Sequence, residues 1–464
     1  MDMVFFSAFI LYFTTLIGIG FYFYKRDQSA QAFMLGNRSV NYYVTAVATQ
    51  ASDMGSWLFI AFPAAVFVNG MFELWTAIGL VVGMFAAWTV IAPRLREKTA
   101  ELDALTLSSY FAHVFHDRSG ALQLVSSAFA LYFFTFYIAS GLVGLSLVFS
   151  AAFGISYHVG IVISIITAAL YTLIGGFVAV AWCDFFQGLF LLAMIVLVPV
   201  VGFFEVGGLS AIMTAAQVQG ISLSLLASPY ETLSALFLAA SWGLGYFGQP
   251  HILVNFMGID EVANIKSARR IGILWQIMVL VAAAVIGLVG IAFFAGTLVD
   301  PQLIFIEMTL RLFHPFVAGL ILCAIFAATL STMDSLILVA GSTCAEDIYK
   351  PFLNSKASAS TILFVSRFAS IVISAIALAL AWSSNTSIYN LVGYAWSGLG
   401  STFGPLVVAS IYLKRVSKNS ALAGLIVGGV TAAVWPFFFT TLPLVPGFFS
   451  GLAAVAIGSK IGRY

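Results

Sequence analysis

The sequence predicts an all-α integral membrane protein with about thirteen spanning helices. Three observations carry that prediction. The 464 residues are 62% apolar and only 8% charged, where a soluble domain is about 45–50% apolar and about 25% charged. Apolar runs of spanning length recur from end to end, giving a mean hydropathy of +1.07. The lysines and arginines fall almost wholly on one side of those runs.

A helix needs about 20 mostly apolar residues to cross a hydrocarbon core. On that rule the spans lie near 3–24, 42–68, 72–92, 121–152, 158–178, 181–204, 232–256, 271–296, 316–342, 360–382, 388–413, 421–438 and 442–461. The connections around 93–120, 205–231 and 297–315 are too short for a soluble domain and are read as loops with a short helix each. Met1-Asp2-Met3 lacks the basic start of a signal peptide, so span 1 reads as retained.

Charge orients the array. Lys25, Arg26 and Arg38 follow span 1, Arg94, Arg96, Lys98 and Arg118 follow span 3, and Lys266, Arg269 and Arg270 follow span 7. Lys350, Lys356 and Arg367 follow span 9, and Lys414, Arg415 and Lys418 follow span 11, with Lys460 and Arg463 at the carboxyl end. Of 19 basic residues only Arg311 falls on the other side. Positive charge stays cytoplasmic, which puts the amino terminus outside and the carboxyl terminus inside the plasma membrane. The net charge of +1 gives no sign of a nucleic-acid partner. Cys183, Cys323 and Cys344 have neither disulfide nor metal spacing.

Two spans are interrupted. Span 2 reads Ala51-Ser52-Asp53-Met54-Gly55-Ser56-Trp57, and span 7 reads Trp242-Gly243-Leu244-Gly245-Tyr246-Phe247-Gly248-Gln249-Pro250-His251. Glycine weakens a helix and proline removes a donor. Broken helices persist in a membrane where they line a cavity, and two at corresponding places in two halves point to a transporter's binding site. Spans 2–6 (42–204) and 7–11 (232–413) then form two five-helix repeats of inverted topology. Span 1 (3–24) and spans 12–13 (421–461) lie outside them. Gly141, Gly144, Gly287 and the Gly428-Gly429 pair read as packing residues instead.

Acidic residues within spans are costly and mark functional positions. Asp53 sits in the span 2 break, Asp184 near the start of span 6 and Asp334 in span 9. No basic residue shares Asp53's span, so a bound cation is the economical countercharge; a helix-capping role is compatible with it. In span 9, Ala328, Ser331 and Thr332 share one helical face. Their hydroxyls and carbonyl, with unwound carbonyls near Ala51 and Met54, make a shell of hard neutral oxygens suited to a small alkali cation. Back-bonding of the hydroxyls to the preceding turn is the plainer reading of either alone. His113, His116, His158 and His314 read as solvated, and His251 as a cap of the span 7 break. The chain carries no HExxH, GxSxG or phosphate-loop motif, which disfavours an enzyme.

At these positions the sequence resembles the sodium/solute symporter family, and within it the sodium/proline symporters. The likeness rests on Ala51-Ser52-Asp53-Met54, Phe133 to Gly141, the run Trp242 to His251, Ala328 to Thr332, and Tyr394-Ala395-Trp396-Ser397-Gly398. It implies the inverted-repeat fold of the leucine-type transporters and sodium-coupled import of a small zwitterion, proline first, with no organic cofactor. It implies a sodium site at the carbonyls of Ala51, Met54 and Ala328 and the hydroxyls of Ser331 and Thr332, with Asp53 in coupling. It implies solute contacts from Tyr137, Trp242, Tyr246 and Pro250, beside Ser52 and Gly243 at the breaks. The best-known proline carriers have Ser at the position of Gly55 and Gly at that of Ser56, so this chain departs from them at the break itself. Asp184, Asp334 and Ser335 suggest a second cation site. Another solute (a sugar, a sialic acid, another amino acid), a proton-coupled carrier and a channel stay open as alternatives.

Overall fold

The computed structural model describes residues 3–23, 30–174, 177–226, 228, 231–383, 387–413 and 415–461. Among these the regular structure is helical, apart from one isolated bridge between Val40 and Ile259. Lys25, Arg26, Lys414 and Arg463, used above to orient the spans, lie outside the described residues.

Each expected span coincides with a helix. α1 is Met3–Phe23, and α2 (42–69) begins as Tyr42–Ser56 and ends as Phe62–Asn69. α3 (74–101) runs past its expected end because Ala92–Glu101 continues it as a polar extension. α4 is Ala121–Phe153, α5 Tyr157–Ile174 and α6 Phe177–Glu205. α7 (232–258) comprises Thr232–Gly243, a 3-10 turn over Leu244–Phe247, and Pro250–Gly258. α8 is Ile265–Phe294, α9 Pro315–Ser342, α10 Ala359–Ala381 and α11 Ile388–Tyr412. α12 is Lys418–Val434 and α13 Leu444–Ile461. The three long connections hold the short helices Leu107–Val114, Leu209–Gln219 and Ile304–Leu312.

Among the described residues eight helical stretches are long and apolar enough to cross a membrane, one of them the continuous run 42–101 that contains both α2 and α3. α5, α7 and α13 appear as shorter apolar helices. α11 is 25 residues long but rich in glycine, serine and threonine on its buried faces.

Local chemistry starts these helices. Asn41 accepts the Tyr43 N–H at α2, Ser358 the Thr361 N–H at α10, Ser387 the Asn390 N–H at α11 and Ser417 the Ser420 N–H at α12. Each satisfies one of the donors a helix start leaves unpaired.

The packing places α2 and α9 at the centre, where almost every residue from Ala318 to Ser342 is buried. α2 lies against α6, α8 and α9, and the outer half of α7 lies against α3. The α2–α8 and α7–α3 pairs thus mirror each other across the two halves. α1 packs on α9 and α6, while α12 and α13 pack on each other and on α11. Small residues allow the closest approach: a Cβ on Gly79 would stand 2.1 Å from Ala239 O, and one on Gly83 would stand 2.1 Å from Gly243 O. Gly141 and Gly144 likewise abut Met333 and Ser56, as packing glycines do.

The basic residues knit one end of the bundle. Arg38 donates to the carbonyls of Thr99, Ala104 and Met257. Arg96 donates to Ile259 O and Asp260 O, and Lys98 to Ser410 O. These contacts bring the ends of α3, α7 and α11 into one layer.

Candidate functional site

The break in α2 is a single glycine. Gly55 has φ 44° and ψ −161° inside an otherwise helical segment, a region essentially closed to residues with a Cβ. A wide π turn follows over Trp57–Ala61 before the helix resumes with Pro63 in its first turn. The Gly55 Cα faces α9: a Cβ there would meet Thr332 Oγ1 at 3.2 Å.

Four of the five expected cation-ligand atoms converge at that contact. Ser331 Oγ lies 2.9 Å from both Ala51 O and Ala328 O. Thr332 Oγ1 lies 3.4 Å from Ala51 O and 3.0 Å from Ala328 O. The back-bonding of each hydroxyl to its preceding turn is therefore present, and so is the reach across to α2. The fifth atom, Met54 O, accepts the Trp57 N–H across the break. Ala51, Ala328 and Ser331 are wholly buried, and Thr332 is 3% exposed. Among the described residues no group of three or more His, Cys, Asp or Glu stands close enough to hold a metal. The cluster offers neutral oxygens, poor ligands for a divalent ion and good ones for an alkali cation.

Asp53 does not cap the restarting helix. Its Oδ2 accepts the Tyr246 hydroxyl at 2.5 Å, and its carbonyl accepts the Tyr137 hydroxyl at 3.3 Å. α2, α4 and α7 therefore meet at one acidic residue. Tyr246 in turn accepts a hydrogen bond from Gln276 Nε2 of α8 at 2.9 Å. Ser52 Oγ bonds back to Ala48 O at 2.8 Å and stands 3.4 Å from Asn255 Nδ2.

The α7 break is held by α11. Trp396 Nε1 donates to Trp242 O at 2.9 Å, and Gln249 Nε2 donates to Trp396 O at 2.9 Å. The freed backbone of a broken helix needs such partners away from water. Pro250 opens the inner half with Gln249 in extended conformation before it. Gly243 serves packing on α3, as its contacts with Gly79 and Gly83 require. His251 makes no cap: neither ring nitrogen has a hydrogen-bond partner, and its ring stands edge-on to Tyr137 at 5.6 Å.

An aromatic group covers the break on the side away from the basic end. Trp242 lies 4.9 Å from Trp57, 5.5 Å from Tyr389 and 6.2 Å from Trp396, centroid to centroid. Tyr389 is fixed by Glu73 Oε1 at 3.0 Å, and the buried Glu73 carboxylate also takes Thr76 at 2.9 Å and Asn69 at 3.3 Å. On the basic side, a cleft lined by Leu105, Thr106, Val254, Ser342 and Phe403 reaches Pro250. Away from the break, Ser335 Oγ stands 3.4 Å from Asp184 Oδ2, and Asp334 is wholly buried on the same helix.

Gln276, Trp396, Gln249 and Glu73 are absent from the sequence-derived site. Trp396 and Gln249 lay within recognised motifs; Gln276 and Glu73 carry no spacing signal, because their roles depend on helices far apart in sequence.

Comparison with known proteins accords with this arrangement. A family model described as the sodium:solute symporter family matches residues 33–428. The chain is 41% identical to a high-affinity proline transporter of Bacillus subtilis, over 94% of each chain. It is 38% identical to the sodium/proline symporter of Escherichia coli, over 98% of this chain and 93% of that one. In structure it matches a Na+-coupled sialic acid symporter with a TM-score of 0.84 at 22% identity, covering 100% and 98% of the two chains. A second match is the transporter MhsT, solved with L-phenylalanine, with a TM-score of 0.58 at 14% identity. These structural likenesses establish a shared fold of the leucine-transporter type.

Proposed function

Since the chain belongs to the sodium:solute symporter family, we propose that it imports L-proline with sodium by alternating access across the plasma membrane. The observation that carries this reading is the convergence of Ala51 O, Ala328 O, Ser331 Oγ and Thr332 Oγ1 between a broken, acidic helix and α9. The curated relatives' names supply the solute.

Sodium is the co-transported ion. It enters between α2 and α9, held by those four oxygens with Met54 O completing the shell. Its charge offsets Asp53, which stands beside the site without a basic partner in its own helix. Proline binds at the adjoining break of α7. The faces of Tyr137, Trp242 and Tyr246 pack on the pyrrolidine ring and its cationic amine. Ser52, Gly243 and Pro250 line the breaks, and the start of the inner half-helix at Pro250 faces the carboxylate. No bond in the solute is made or broken, so the protein is a carrier and not an enzyme.

Energy comes from differential affinity. Sodium moves the outward–inward equilibrium only so far as it binds the two states differently. One charge crossing 100 mV supplies about 2.3 kcal/mol, and a tenfold sodium gradient adds about 1.4 kcal/mol. One sodium per cycle thus supports accumulation of a neutral zwitterion on the order of several hundredfold.

Residues 42–204 and 232–413 form the two inverted repeats, supported by the paired breaks and the mirrored α2–α8 and α7–α3 contacts. Thirteen helices cross the bilayer, with the amino terminus outside and the carboxyl terminus in the cytoplasm, as the one-sided basic residues support. Asp184, Asp334 and Ser335 form a second cation position, supported by the Ser335–Asp184 contact.

The test is uptake of labelled proline into proteoliposomes, with and without a sodium gradient, against a panel of sugars, sialic acid and other amino acids. Sodium-stimulated proline uptake that Thr332→Ala weakens supports the reading. Sodium-independent uptake steep in pH, or another solute taken in preference, overturns it.

A further inference from the structure

We propose that Gln276 is a positioning residue: its buried amide holds the Tyr246 hydroxyl as a donor to Asp53 and so ties the α7 break to the sodium side of the site. The inference rests on the function proposed above and deepens it, because it names a contact from α8 and α7 that shapes the sodium side of the site.

A tyrosine hydroxyl has one proton. Tyr246 O stands 2.5 Å from Asp53 Oδ2 and 2.9 Å from Gln276 Nε2. A side-chain amide nitrogen only donates, so Gln276 occupies a lone pair of the hydroxyl and leaves its proton nowhere to go but the carboxylate. The chain of contacts spans three helices, α8 to α7 to α2, and ends two residues from the Ala51 carbonyl of the cation cluster.

Gln276 is wholly buried, its Oε1 has no protein partner, and its nitrogen bonds Tyr246. Burying a half-satisfied amide in a membrane protein is costly, and an apolar residue of the same length would fill the space. The Tyr246 ring stands edge-on to Trp396 at 4.9 Å. That contact fixes where the ring lies and leaves the direction of the hydroxyl proton free.

The test uses the full chain in proteoliposomes and in detergent, with Gln276→Met as a near-isostere lacking the donor, Tyr246→Phe, and the double variant. Two quantities are read: the sodium concentration giving half-maximal proline uptake, and the rise in thermal midpoint on adding sodium alone. Gln276→Met raises the half-maximal sodium concentration about fivefold or more, lowers the sodium-induced shift, and leaves the proline KM at saturating sodium within about twofold. In the Tyr246→Phe background the same substitution has no further effect, because the hydroxyl it orients is gone. An unchanged sodium response, an equal effect in both backgrounds, or a change confined to the proline KM overturns the inference. Loss of sodium stimulation in the unsubstituted chain overturns the proposed function itself, which keeps the two failures apart.

Discussion

Replacing Gly55 with alanine or serine tests the geometry of the cation site most directly. At φ 44° and ψ −161° a side chain costs of order 1–3 kcal/mol. The added Cβ would also stand 3.2 Å from Thr332 Oγ1 and 3.6 Å from its Cβ, tight enough to push that hydroxyl by a few tenths of an ångström. The penalty falls on the conformation that brings Ala51 O to Ser331 and Thr332. With about 1.4 kcal/mol per tenfold, a strain near 2 kcal/mol predicts about a 30-fold rise in half-saturating sodium, measured by the sodium dependence of proline uptake. Ser56 lies in the ordinary right-handed region, at φ −63° and ψ −20°. A glycine at 56 therefore leaves a side chain at 55 strained, and Gly55→Ser combined with Ser56→Gly stays as impaired as Gly55→Ser. A sodium response in Gly55→Ala within twofold of the parent, or a double variant restored to the parent's response, would refute the claim that the glycine's backbone at this position shapes the site.

Three further outcomes follow from the same geometry. Trp396→Phe removes the N–H that α11 gives to Trp242 O, at about 1 kcal/mol; it lowers the thermal midpoint and raises the proline KM. Tyr389→Phe frees the aromatic cover from Glu73, and a loss of about 1 kcal/mol opens that side about fivefold more often. An impermeant maleimide added on the Arg311 side then labels Ser241→Cys faster, in a chain cleared of Cys183, Cys323 and Cys344; unchanged labelling counts against a latch. Gly79→Leu drives a side chain into the α7 backbone, whose Ala239 O would lie 2.1 Å from the new Cβ. It abolishes folded protein on size-exclusion chromatography, where a conformational role alone would leave yield intact.

Helix positions were legible because a membrane imposes one length and one polarity on every span. Asp53, Ser331 and Thr332 stood out for the related reason that polar groups there are expensive. The α2 break was visible as a run of small and polar residues, but not that Gly55 alone takes the left-handed backbone. His251 looked like a cap, yet it faces α4, because Gln249 turns the chain before Pro250 and sends the histidine ring toward Tyr137. Gly243, read from the sequence as part of the solute site, also lets α7 touch α3.

The sequence by itself determined the membrane class, the order of the helices, the two breaks and the oxygen-bearing face of α9, since each depends on residues close in sequence or on charge sorted by side. Only the tertiary structure decided which groups answer one another across the core. Asp53 meets Tyr246 across 193 positions and Ser331 meets Ala51 across 280. Such pairings arise where helices cross, and no local period records a crossing. The partners that complete the site, Gln276 and Glu73, became recognisable only once packing had buried them and left each polar group in need of another.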